Sequence, residues 1–136
     1  MIRELGAISG QQDTERGDGL AEFALILPVL LLILLAIFDL GRAVYAYSVV
    51  ANCAREGARF GVISPTDQAG ITNVVTNAAV GLDLTRLSVA ITYPTSDTIR
   101  VTVDYTFQVI TPLVAQAIGG GGSLNLHSAA TMYTGY

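Results

Sequence analysis

The sequence predicts an α+β chain: an N-terminal transmembrane helix that continues as an amphipathic stalk, then a short helix and a small three-stranded antiparallel sheet. Three observations predict it. Phe23 to Phe38 carry no charge, and only Pro28 and the small alanines vary their large aliphatic and aromatic side chains. Beyond them, small apolar residues keep helical spacing as far as Ala58. From Leu87 the apolar period changes to two. The segments that follow are 1–17 as a leader, 18–41 as the transmembrane helix, 42–63 as the stalk and 64–136 as the α+β domain.

Residues 1–17 show no sustained periodicity and read as a flexible leader. The uncharged run behind them spans roughly 24 Å as a helix, and extension to Leu20 and Gly41 brings it to about 30 Å, the thickness of a bilayer's hydrocarbon core. Glu22 and Asp39 then sit at its two rims. A carboxylate at the bilayer centre costs ~2.5–3.5 kcal/mol and far less near an interface. A run apolar on every face is hard to bury within 136 residues, which argues against the core helix of a soluble domain. A cleaved signal peptide fits poorly too. Arg3 and Arg16 stand against Glu4, Asp13, Glu15, Asp18 and Glu22, and no A-x-A site closes the run.

Past Asp39, the residues Leu40, Val44, Tyr47, Ala51, Ala54 and Ala58 fall within about 80° of one another on a helix. Arg42, Ser48, Asn52, Arg55, Glu56 and Arg59 gather opposite. The stripe suits close approach by the chain's own sheet or by a neighbouring helix. Arg42 can meet Asp39 at i,i+3, a pair worth ~0.2–0.5 kcal/mol on an exposed helix. Cys53 lies at the stripe's border and reads as a small buried hydrophobe. Ser64-Pro65 ends this helix and reads as the cap and first turn of a second one over residues 65–80, with Gly81 as its stop. Leu87 to Tyr93 and Ile99 to Val109 then alternate apolar and polar residues across a Pro94-Thr95-Ser96-Asp97 turn, predicting a hairpin. The stretch Leu113 to Ile118 allows one helical turn, residues 119–122 are a glycine connector, and Leu124 to Met132 predict a third strand antiparallel to the second.

Composition narrows the chemistry. A net charge of −4 argues against a nucleic-acid partner. One cysteine precludes an intrachain disulfide, and one histidine with no Cys/His cluster offers no metal site. No catalytic motif and no phosphate-cradling loop is present, so neither an enzyme, a cofactor nor a small-molecule substrate is expected. Asp97, Asp104 and His127 read as turn and strand-surface residues.

A further pattern crosses the helix boundary. Gly17 is followed by Asp18 to Ala21 and then by Glu22-Phe23 at the mouth of the apolar run. Behind it come Ala24-Leu25, Leu27-Pro28, Asp39-Leu40-Gly41-Arg42 and Ala54-Arg55-Glu56-Gly57-Ala58-Arg59. Over about residues 16 to 62 the chain resembles the TadE-like proteins of Flp/Tad pilus assembly. The resemblance implies a pilin-like, single-pass pseudopilin of the bacterial cell membrane, cut by a prepilin peptidase between Gly17 and Asp18, with Glu22 and Phe23 completing the processing site. Its implied partners are that peptidase, membrane lipid and other pilins or pilus assembly proteins. Glu22, Pro28, Asp39, Arg42, Arg55, Glu56 and Arg59 become the candidate assembly and packing residues. A count of arginines, Arg16 against Arg42, Arg55 and Arg59, favours a cytoplasmic C-terminal side. The processing pattern requires the reverse, with a cytoplasmic N-terminus and an extracytoplasmic domain. The alternative is an unprocessed, membrane-anchored extracytoplasmic binding or scaffold protein, for which the Gly17 to Glu22 spacing is coincidence.

Overall fold

The computed structural model describes residues 5–135, with side chains from residue 17 onward except Gly120. Residues 1–4 of the expected leader and Tyr136 lie outside the described residues. The chain divides into two compact units, Met1–Ile37 and Phe38–Tyr136.

Helix α1 (Leu5–Ile63) accounts for the described part of the first unit and continues into the second. The leader expected to be flexible is therefore helical from Leu5. Once the apolar run is helical, each added residue gains a hydrogen bond without a new nucleation cost, so weak periodicity does not stop propagation. The helix also passes through Pro28. A proline there removes the bond to the Ala24 carbonyl, a defect of ~3 kcal/mol in a soluble helix that membrane helices tolerate more readily. From Leu20 to Phe38 every residue is exposed except the half-buried Ala36. This stretch of α1 is not buried in a core. Among the described residues α1 is the one helix long and apolar enough to cross a membrane.

The second unit is built on the sheet. Strands β1 (Leu87–Thr95), β2 (Thr98–Gln108) and β3 (Ser123–Tyr133) are antiparallel in the order β1-β2-β3. Val103 pairs with Val89 on one side and with Ser128 on the other. The central position of β2 explains why Ile99, Val101, Val103, Tyr105 and Phe107 are all buried along one face. Pro94 falls where the β1–β2 register shifts between Thr92 and Thr95, a place that tolerates a missing ladder N–H. The α+β class with three antiparallel strands is as the sequence predicts.

Helix α2 (Gln68–Ala78) packs Ile71 and Val75 into the core. It begins later than expected, because Ser64 donates its N–H to the Phe60 carbonyl and so finishes α1. Asp67 is the cap instead, accepting from the Gly70 N–H at 2.9 Å. It also ends earlier, at Ala78, and Gly81 takes a left-handed φ of 75° in the following turn.

The face that α1 turns to the sheet shares Ala54 and Ala58 with the expected stripe and differs from it elsewhere. Ala46, Val50, Cys53, Ala54, Gly57, Ala58 and Gly61 are buried, whereas Leu40, Val44 and Tyr47 are exposed. The helix is rotated by about one residue, which brings Gly57 and Gly61 inward. Close approach is the reason. A Cβ on Gly57 would lie 2.6 Å from Val75 Cγ2 and 3.0 Å from Val101 Cγ1, both on stiff β-branched side chains. On Gly61 the obstacles are the ends of the Ile99 and Ile71 side chains, both fully buried in the core. Overpacking costs ~1–3 kcal/mol, against about 1 kcal/mol gained in helix propensity. Gly57→Ala and Gly61→Ala should therefore each lower the domain's stability by about 1 kcal/mol, as read by urea unfolding in detergent.

Candidate functional site

The first cluster is the N-terminal part of α1. Gly17, Asp18, Glu22 and Phe23 are all exposed, and a Cβ built on Gly17 meets nothing within 4 Å. The fold itself places no demand for glycine at position 17. The ion pairs among the described residues are Arg42–Asp39, Arg86–Asp83 and His127–Asp104, so Glu22 belongs to none of them. An exposed carboxylate thus stands at the entrance of the apolar run without a described partner in its own chain. Pro28, a turn and a half further on, is exposed as well.

The second cluster lies where the apolar run ends. Asp39 is 5% exposed. Its Oδ1 accepts from the Ile110 N–H at 3.2 Å and its Oδ2 accepts from the Thr111 N–H at 2.8 Å. Arg42 Nη1 donates to Oδ1 at 3.2 Å, and its guanidinium lies 5.2 Å from the centre of the Phe107 ring. The i,i+3 pair expected from the sequence is present, yet it is the smaller part of the arrangement. The carboxylate mainly ties α1 to the end of β2 and the start of helix α3 (Pro112–Ile118), whose N-cap is Thr111. Charge-assisted bonds of this kind are roughly twice as strong as neutral ones. The apolar residues around residue 39 pointed to a membrane rim, and nothing local to either segment pairs it with 110 and 111. The one sequence signal was Thr111-Pro112, a helix start that leaves N–H groups to be satisfied.

The third cluster spans residues 54–59. Ala54, Gly57 and Ala58 face the core, while Arg55 and Arg59 are exposed and Glu56 is half-buried. Arg55 Nε donates to the Ala51 carbonyl at 3.1 Å. Glu56, Arg59, Phe60, Ile63 and Val74 line a shallow open groove. The assembly candidates are thus spread along α1. Asp39 and Arg42 are brought together, and Glu22, Pro28, Arg55, Glu56 and Arg59 are not joined to them. On the wet face of the sheet, His127 Nδ1 lies 2.7 Å from Asp104 Oδ1 as a direct cross-strand pair. Such pairs contribute ~0.2–1 kcal/mol and need no ligand. Among the described residues no group of three or more His, Cys, Asp or Glu is placed to hold a metal.

The α1 residues of all three clusters fall within one family match. The family model described as TadE-like protein matches residues 17–59, less than half of the chain. Residues 17–59 are similar to that family. The matched stretch opens on Gly17 and closes on Arg59, so it contains Glu22, Pro28, Asp39, Arg42, Arg55, Glu56 and Arg59. The match points to a membrane protein related to the Tad pilus, and the long apolar helix fits a membrane anchor. No curated protein and no solved structure matches the chain significantly.

Proposed function

We propose that the chain is a single-pass pseudopilin-like protein that takes part in assembling a Tad/Flp-type pilus, and that a prepilin peptidase cuts it after Gly17. The observation that carries this reading is the TadE-like match itself, which opens on the residue before the proposed cut and covers the apolar helix. The exposure of Gly17 to Phe23 supports it, since a peptidase has to reach them. The protein is then a substrate rather than an enzyme. Its N-terminus is cytoplasmic and residues 64–136 are extracytoplasmic. Neighbouring pilins meet α1 along Leu40, Val44 and Tyr47, which its own sheet leaves exposed.

Gly17→Ala tests the processing step without disturbing the fold, because the added methyl meets nothing within 4 Å. Coexpression with a prepilin peptidase should shorten the parent chain by seventeen residues and leave Gly17→Ala at full length, as read by intact mass. Loss of seventeen residues from the variant would place the cut elsewhere. A parent chain that stays intact would favour the unprocessed scaffold.

A further inference from the structure

Strand β2 descends along α1 from its far end to the limit of the apolar run. Gly61 abuts Ile99, Gly57 abuts Val101, Arg42 covers Phe107, and Asp39 holds the N–H groups of Ile110 and Thr111. The lengths agree, since the helix from 61 to 39 rises ~33 Å and the strand from 99 to 110 runs ~36 Å. Asp39 directly follows Phe38, the last residue of the uncharged run. The β2–β3 connection, residues 109–122, is therefore tied to α1 at Asp39, the residue that follows the uncharged run in sequence.

That connection is unlike an ordinary surface loop. Ile110 is 70% exposed, Leu113 58% and Ile118 48%, and Leu124 just beyond is exposed too. No Asp, Glu, Lys or Arg occurs anywhere after Asp104. In water these side chains would stand uncovered next to a carboxylate that the fold has taken care to bury. At a bilayer surface the same composition is favourable, since apolar side chains gain by entering the headgroup–acyl boundary and no charge has to be dragged with them.

We propose that the β2–β3 connection, through Ile110, Leu113 and Ile118, inserts into the surface of the same bilayer that α1 crosses. The domain then meets the membrane at two places, the helix and the tip of the β2–β3 connection, which Asp39 locks together. The inference rests on α1 being the membrane anchor and does not depend on processing after Gly17.

The chain contains no tryptophan, so each introduced one is a unique probe. Full-length Leu113→Trp, Ile118→Trp, Leu30→Trp and Ile63→Trp would be reconstituted into phosphatidylethanolamine–phosphatidylglycerol vesicles with and without dibrominated phosphatidylcholine. Leu30 reports the anchor, and Ile63 is an exposed apolar residue at the far end of α1. Brominated lipid is expected to remove about half of the emission at positions 113, 118 and 30 and almost none at 63. Quenching at 30 without quenching at 113 and 118 overturns the inference while leaving the anchor intact. No quenching at 30 overturns both. Emission at 113 that shifts with the protein-to-lipid ratio but ignores bromine would assign the patch to a second copy and overturn it as well. Using two exposed positions, each checked by circular dichroism, keeps the test open if one variant fails to fold.

Discussion

Asp39→Ala should destabilise the second unit by about 2–4 kcal/mol, because it strips the partner from two backbone N–H groups at once. One of them, on Thr111, belongs to a residue only 3% exposed and has little water to turn to. Asp39→Asn keeps one acceptor oxygen but turns an amide N–H₂ toward a donor, so about half the loss is expected. Arg42→Ala removes a half-exposed ion pair and a ring contact, together worth only ~1 kcal/mol. The order Asp39→Ala, then Asp39→Asn, then Arg42→Ala follows from the tether. If Asp39 acted only through its i,i+3 pair, both alanine variants would cost the same few tenths of a kcal/mol. Urea unfolding in detergent gives the ranking. Amide exchange at Ile110 and Thr111 should accelerate in Asp39→Ala more than anywhere else in the domain.

Glu22→Ala is expected to leave cleavage nearly normal and to abolish assembly. The carboxylate is exposed at the mouth of the apolar run and enters none of the described ion pairs. In the proposed pilin-like reading its partner is the amine of Asp18 on an adjacent subunit, which exists only after the cut. Processing thereby creates the group that assembly uses. Removing one member of a desolvated pair leaves the other uncompensated at ~3–5 kcal/mol, a hundredfold or more in association. Glu22→Asp, one methylene shorter, should be partly defective. A carboxylate that only favours the positive end of the helix left to begin at Asp18 by the cut predicts about 1 kcal/mol and normal assembly. Cleavage and complex formation measured on the same sample separate these accounts.

The α+β class, the three strands and the apolar helix were legible because each rests on a pattern local in the sequence. Alternation from Leu87 to Val109 and the uncharged run from Phe23 to Phe38 leave little choice of element. Contacts between distant segments were not legible. The orientation of α1 was misjudged because apolar size pointed to Leu40, Val44 and Tyr47, whereas the sheet needed the closest approach and took Val50, Cys53, Gly57 and Gly61. Gly57 and Gly61 cost helix propensity, yet they are where Val75, Val101 and Ile99 press against the helix. The cap of α2 moved from Ser64 to Asp67 because α1 kept Ser64 for its own last turn. At the candidate site, Asp39 and Arg42 were read as neighbours on a helix. Their partners at Phe107, Ile110 and Thr111 lie some seventy residues away, and no local rule connects them.

The proposed role turns on one bond. N-terminal sequencing of the protein extracted from membranes of cells that express a prepilin peptidase should read Asp18-Gly19-Leu20-Ala21-Glu22, and in cells lacking the peptidase it should read from Met1. A chain that begins at Met1 in both would contradict the pilin-like account.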